Sequence, residues 1–473
     1  MLWIALHLPE LPLEALLRGS PSPEAWAVAE HHRIVACDGK ARSRGVRAGM
    51  SASAALALAP QLRVRARDAS AETEALLGVA AWAMQFTPNV ALEFPDTVLL
   101  EVSGSLKLFG GLTPILADLR EGLAAMGFAT CLAVAPTARA ASWFARARRE
   151  TLVTEAARID EAVSLLPAAV LRCDADTLEA LEAIGVAALG DLFALPREGL
   201  ARRFGQGLLD DLDRARGRLA DPRTFFTPPA RFAAGIELLA EVTQAEALLF
   251  AARRLLIQLA GYLVARSGGV QRFVLKLAHR DRGATEIAIG LVAPSRDAEH
   301  FTLLVRERLA SVALREPVRA IAVEAADILP LAGDNLGLFP DDAGTPGNWE
   351  RLIERLRARL GTEAVHGLAT RAEHRPEHAS TEAGPDERQL KLEFGERPFW
   401  LLDAPRPLPE VGAVPNYQGP LTLLAGPERI ESGWWDDDDI ARDYFVARTQ
   451  SESLVWVYRE RRGGGWYLHG LFA

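Results

Sequence analysis

The stretch Trp3-Ile4-Ala5-Leu6-His7-Leu8-Pro9-Glu10 reads as an apolar β-strand that stops at a proline and carries a histidine at its polar end. A run this apolar is a strand buried in a sheet, and the proline closes it because it has no N–H to give the ladder. Working outward, residues 26–37, 90–102 and 130–134 have the same strand texture, while 51–59, 70–85, 112–126 and 139–150 carry helical periodicity. Up to about residue 165 the chain therefore reads as an α+β sheet domain.

The remainder changes texture three times. Residues 166–228 hold two short helical pairs, 178–195 turning at Ile184-Gly185-Val186 and 200–217 turning at Phe204-Gly205. From 229 to about 332, strand-like runs at 273–277, 286–292 and 320–325 alternate with amphipathic helices at 244–265 and 298–309, a β-α-β-β-α-β order that fits a split βαβ domain. Beyond 333 come a charged amphipathic helix at 348–360, a His-, Pro-, Glu- and Gly-rich stretch at 374–388 that reads as a linker, and a tryptophan-rich tail of short strands.

Composition bounds the function. A chain of 473 residues, 49% hydrophobic, exceeds what one core needs and predicts about three to five domains. No run of 18 or more apolar residues and no export signal is read, so a cytoplasmic, nucleoid-associated protein is expected. Cys37, Cys131 and Cys173 form no C-x-x-C pair, which argues against a zinc site or a disulfide framework. The net charge of −9 is unusual for a nucleic-acid protein, yet arginine is concentrated between about 139 and 320, and local charge governs binding.

Four segments recur in a set order: His7-Leu8-Pro9-Glu10-Leu11-Pro12; Gly39-Lys40-Ala41-Arg42-Ser43-Arg44-Gly45-Val46-Arg47-Ala48-Gly49-Met50; Phe94-Pro95-Asp96-Thr97-Val98-Leu99-Leu100-Glu101-Val102-Ser103; and Pro136-Thr137-Ala138-Arg139-Ala140-Ala141-Ser142. Turns at Gly104-Ser105 and Phe109-Gly110-Gly111 follow the third. With the hairpin helices and the split βαβ order, this resembles the Y-family translesion DNA polymerases of the UmuC/DinB superfamily, specifically the ImuB branch, whose members lack the catalytic acids. The resemblance covers nearly the whole chain. It implies a right-hand architecture: palm and fingers at 1–165 (fingers about 20–80), a helix-hairpin thumb at 166–228 and a little-finger-like DNA-binding domain at 229–332. A clamp-motif region with helix and linker at 333–395 and a small β-rich partner-docking module at 396–473 complete it.

Against the family pattern, His7 stands where the first strand carries Asp-x-Asp, Arg42 survives without its tyrosine, Asp96 remains with Thr97 in place of glutamate, and the lysines of the last segment are gone. Two divalent ions about 3.5–4 Å apart need several carboxylates to offset their charge. Glu101 lies five residues past Asp96, roughly 16 Å at ~3.3 Å per residue and on the opposite strand face. Glu10 is the residue that keeps an active enzyme open. Mg2+ is expected only if the chain is an active DNA-directed DNA polymerase; otherwise no cofactor and no metal site is expected. Taken alone, a strand ending in His-Leu-Pro and an aspartate at a hairpin turn are both ordinary.

DNA binding needs none of the missing acids, because it rests on cationic side chains and helix N-termini. The candidates are Gly185, Gly190, Arg202, Arg203, Gly205 and Gly207 in the hairpin helices, and Arg253, Arg254, Arg272, Lys276, Arg280 and Arg282 in the split βαβ domain. Asn335-Leu336-Gly337-Leu338-Phe339 resembles a sliding-clamp peptide with apolar anchors. Gln389-Leu390-Lys391-Leu392-Glu393-Phe394 is its competitor. The run 436–439 reads as a solvated acidic loop. By resemblance, the tail docks a RecA-like accessory protein (ImuA) and an error-prone C-family polymerase. The expectation is thus a non-catalytic adaptor of damage-induced translesion synthesis; the alternatives are an active polymerase with a rearranged metal site and a DNA-binding structural protein without clamp contact.

Overall fold

The first strand, β1 (Trp3–His7), is buried at every position because it is covered on both faces. From it the chain runs through α1 (Leu11–Leu17), β2 (Trp26–Glu30), β3 (Arg33–Cys37), α2 (Gly39–Ser43), α3 (Ala52–Leu58), β4 (Arg63–Ala66), α4 (Ala69–Ala83), β5 (Val90–Glu93), β6 (Thr97–Glu101), α5 (Leu112–Ala125), β7 (Cys131–Ala135) and α6 (Ala138–Arg146). Strands β5-β6-β1-β7 form an antiparallel sheet in that order. Side chains alternate across β1: Ile4 and Leu6 meet Leu76, Val79, Leu119 and Leu123 of α4 and α5, while Trp3 and Ala5 join the cluster of Trp143 and Phe144 from α6. The register pairs His7 with Thr97, which brings the end of the first strand and the β5–β6 turn to one edge of the sheet.

This computed structural model describes residues 1–19, 24–280, 283–314, 316–331, 347–383, 397–436 and 438–472, and divides into two units, Met1–Arg359 and Leu360–Ala473. In the first unit, β3-β2-β4 make a second small sheet. The stretch expected as one strand at 26–37 folds back at His31 and His32, whose φ angles of 47° and 65° put them in the left-handed region that histidine enters more readily than most residues. Strand β4 is charged and half exposed, so it carries no apolar alternation that a sequence pattern would reveal.

Helices α7 (Ile159–Ser164), α8 (Ala175–Ala183), α9 (Leu189–Ala194), α10 (Arg197–Phe204) and α11 (Gln206–Ala215) pack around Leu181, Leu189, Leu192, Leu200, Leu209 and Leu212, in one cluster with α6. Next come β8 (Phe232–Val242), α12 (Ala245–Ala265), β9 (Gly268–His279), β10 (Ala284–Ser295), α13 (Ala298–Ser311), β11 (Val318–Ala325) and β12 (Leu329–Pro330). The sheet order β10-β9-β11-β8 gives the β-α-β-β-α-β arrangement, with α12 and α13 packed on one face through Phe273, Leu275, Leu277, Ile321 and Val323. Helix α12 is long and apolar enough to cross a membrane by length and composition, but here Leu248, Leu255, Leu256, Leu259 and Leu263 are core residues.

The second face of α12 rests on α4 and α5. A Cβ on Gly78 would sit 1.8 Å from the Gln258 amide, one on Gly261 2.2 Å from the Trp82 ring and one on Gly122 2.1 Å from the same ring. Glycine at these three positions lets the helices approach that closely. Helix α14 (Gly347–Leu360) joins the same unit through Glu354, a buried carboxylate that accepts from the Val292 N–H at 2.7 Å and pairs with buried His300.

In the second unit, β13 (Gly367–Thr370) and β14 (Ser380–Ala383) form a hairpin, and β16 (Glu410–Val411) with β17 (Val414–Pro415) a smaller one. Strands β15 (Trp400–Leu408), β18 (Thr422–Ser432), β19 (Ile440–Arg448), β20 (Leu454–Glu460) and β21 (Trp466–Leu471) make a five-stranded sheet in the order β15-β21-β20-β19-β18. One expectation fails here. The stretch 374–383 is not a linker: Arg375 is only 4% exposed and bonds Glu373 and Asp436 at 2.9 and 2.6 Å. The described residues of the acidic run are exposed and ion-paired: Asp438 meets His378 at 3.1 Å and Asp439 pairs with Arg462. Buried arginine needs partners, and these carboxylates supply them.

Candidate functional site

The polar edge of the central sheet gathers His7, Asp96 and Thr97, as the strand register requires. Asp96 Oδ1 accepts from Thr97 Oγ1 at 2.8 Å and faces His7 Nδ1 at 3.3 Å. A third partner, Arg172, donates from one guanidinium nitrogen to the same oxygen and from another to the Phe94 carbonyl. Burial pushes the Asp96 carboxyl up, but the His7 hydrogen bond and charge, the Arg172 charge and the Thr97 hydroxyl outweigh it and hold it at about 2. The sequence reading missed Arg172. It sits in the connection to α8, 76 residues from Asp96, and no local pattern links the two.

Glu10 does not reach toward Asp96. It pairs with Arg42 at 3.1 Å and lies 3.8 Å from Arg148, so Arg42, expected as a nucleotide-phosphate remnant, serves this carboxylate. Glu101 is at the far end of β6, opposite Trp3, where it accepts from the backbone of Leu2 and Ser103. On the other side of the β5–β6 turn, Glu93 is bound by Arg146, by Arg223 at 2.8 Å, by Ser142 at 2.6 Å and by Arg139 at 3.5 Å. Burial raises its carboxyl, and Arg139, the Ser142 hydrogen bond, Arg146 and Arg223 bring it down to about 2. Ser142, at a family lysine position, is thus a buried hydrogen-bond donor.

A pair of divalent ions requires oxygen donors free to coordinate them. At this edge the side chains are an imidazole, a hydroxyl and one carboxylate whose oxygen already receives a guanidinium. Among the described residues no group of three or more His, Cys, Asp or Glu converges as a metal site. The donor set does not fit the metal pair implied by the resemblance.

The expected DNA-facing residues separate by position. Gly205 has φ 86° and open space around it, and Gly207 is likewise open in the first turn of α11. Arg202 beside them is 85% exposed in its side chain and lies 3.8 Å from Glu198, and Arg203 stacks on Phe204. Gly185 also turns through positive φ into open space, whereas a Cβ on Gly190 would sit 3.0 Å from the Ser164 carbonyl oxygen, so Gly190 is a helix-contact glycine. In the split βαβ domain, Arg272 and Lys276 lie on the sheet face away from the helices. There Lys276 is held by Glu324 and Glu286 at 2.8 and 3.3 Å, and Arg280 lies 3.3 Å from Glu241. Arg253 is exposed on the opposite, helical layer and cannot share a flat surface with them.

Arg254 corrects the expectation. It turns inward, donates to the Arg18 carbonyl and lies against Gly127 and the Phe250 ring. Arg282 and both clamp-like peptides, Asn335 to Phe339 and Gln389 to Phe394, lie outside the described residues.

The impB/mucB/samB family description (IMS) matches residues 15–146, the part that contains Asp96, Thr97 and the small β3-β2-β4 sheet. Protein ImuB of Caulobacter vibrioides strain NA1000 / CB15N is 29% identical over 457 residues, covering 90% of this chain and 100% of the relative. The strain ATCC 19089 / CIP 103742 / CB 15 protein gives the same figures. Nearly the whole of this chain is thus similar to Protein ImuB. Solved structures similar to this chain include an insertion ternary complex of Dbh DNA polymerase (16% identity, 70% of this chain, 100% of that chain, TM-score 0.41). DinB from Sulfolobus solfataricus is another (17%, 70%, 100%, TM-score 0.39).

Proposed function

We propose that this chain is a non-catalytic adaptor of damage-induced translesion synthesis. It binds primer-template DNA and the sliding clamp and brings in an error-prone polymerase of the C family, together with a RecA-like accessory protein. The observation that carries the non-catalytic half is Asp96: the one palm acid left from the family pattern has its carboxylate engaged by Arg172, His7 and Thr97. The DNA half is supported by the α10–α11 turn, where exposed Arg202 and Arg203 stand beside open glycine backbone able to meet phosphates. Binding of this kind is independent of sequence and steeply salt-dependent.

Primer extension with the full chain and Mg2+ or Mn2+ tests the first half. No templated synthesis is expected, and synthesis lost on Asp96→Ala would overturn the adaptor. Clamp capture tests the second: Leu338→Ala with Phe339→Ala abolishes it. Capture that survives those changes and fails with Leu392→Ala plus Phe394→Ala moves the clamp peptide to the second segment.

A further inference from the structure

Each carboxylate around the palm edge is met by a guanidinium of the same chain: Asp96 by Arg172, Glu10 by Arg42, and Glu93 by Arg146 and Arg223. We infer that Arg172 is the palm's resident cation. Its guanidinium takes Asp96 Oδ1, an oxygen a divalent ion could otherwise use, and fastens the segment leading into α8 to the central sheet. The inference deepens the non-catalytic reading and rests on it.

The geometry carries this in three steps. First, Asp96 Oδ1 is crowded: Thr97 Oγ1 at 2.8 Å, His7 Nδ1 at 3.3 Å and Arg172 all approach one carboxylate oxygen, which has about two lone-pair sites. An ion binding through this oxygen would have to displace them. Second, Arg172 grips two points of the β5–β6 turn at once, the Asp96 carboxylate and the Phe94 carbonyl. A planar fork can do this and a lysine ammonium cannot do it equally well.

Third, the arginine is held in position from both sides along its own chain. Two residues before it, the Val170 carbonyl accepts from Arg146 at 2.8 Å, and Arg146 is itself anchored on Glu93 and Ser142. Two residues after it, Asp174 caps α8 by accepting from the Thr177 N–H at 2.7 Å. The guanidinium thus arrives with little freedom left to lose.

A double-mutant cycle on the full-length protein tests this, using Arg172→Gln, Asp96→Asn and their combination, with limited proteolysis of residues 165–175 as the readout in EDTA and in Mn2+. Cleavage there follows the population of the opened joint. The wild type should cleave equally slowly with and without Mn2+, and show no Asp96-dependent Mn2+ signal by paramagnetic resonance. Either single change should speed cleavage by about tenfold, an opening equilibrium shifted by ~1.4 kcal/mol, and the double variant should be no worse than either single. Additive effects, unchanged cleavage in Arg172→Gln, or wild-type Mn2+ binding lost on Asp96→Asn would each overturn it.

Should Arg172→Gln fail to fold, Arg172→Lys keeps the charge without the fork and should cleave at an intermediate rate; wild-type protection would refute the two-point grip. The two readings fail separately. Templated synthesis by the wild type sinks the adaptor, whereas an additive cycle with no synthesis sinks only the role of Arg172.

Discussion

The sheet edge at His7 and Asp96 and the α10–α11 turn are both rich in arginine and use it in opposite senses. At the sheet edge the guanidiniums are matched by Asp96, Glu10 and Glu93 of the same chain. At the turn, Arg202 and Arg203 point outward beside backbone that has open space around it. The first arrangement spends charge on holding the fold, and the second keeps it available for a polyanion. Net charge cannot tell these apart, and neither can a count of arginines.

Reversing the outward pair should have the largest effect on binding. Arg202→Glu with Arg203→Glu is expected to weaken primer-template affinity by about a hundredfold at moderate salt and to lower the salt slope by about 2, while the unfolding midpoint stays within ~0.5 kcal/mol of wild type. Fluorescence anisotropy across a salt series measures both. An unchanged slope would break the comparison. Arg254→Ala is the complement. It should cost about 1–3 kcal/mol of stability, because the Arg18 carbonyl loses its donor, and leave DNA affinity unaltered.

A smaller effect is expected at Glu14, whose carboxyl burial pushes up to about 7 against the backbone bond from Ala129. The folded protein favours the protonated form, so this contribution is full below about pH 4.5 and is lost as pH rises toward 7. Glu14→Gln should therefore be more stable than wild type at pH 8 by on the order of 1–3 kcal/mol, and indistinguishable below pH 5. Denaturant melts at the two pH values decide it.

The smallest effect lies on the acid side. Asp96 and Glu93 are both held down at about 2, so their contributions are present above about pH 4 and lost as pH falls toward 2. Arg172→Gln should flatten that acid limb in a pH series of melts, whereas Arg202→Glu should leave its shape alone.

Much of this was legible in the sequence because it is periodic. The apolar run at β1, buried on both faces, and the β-α-β-β-α-β order of β8 to β11 follow from spacing alone. The absence of acids at His7 and Thr97 was legible too. What the sequence did not disclose is pairing at a distance: Arg172 reaches back to Asp96, and Glu10 turns to Arg42. Adjacent Arg253 and Arg254 look alike as letters, yet lie about 100° apart around the helix. Arg254, Gln258 and Gly261 share helical spacing and together face α4 and α5. That second buried face of α12 was invisible because a helix expected to cover one sheet gives no reason to look for another.

The glycine contacts around Trp82 also bear on how this architecture can be taken apart. A chimera that exchanges residues 229–332 with those of a relative would separate Gly261 and Gln258 from Trp82, Gly122 and Gly78, and any larger residue brought to these positions would meet a ring or an amide within about 2 Å. The modular unit is therefore drawn by the tryptophan rather than by the sequence boundary: a graft must carry α4, α5 and α12 as one cassette.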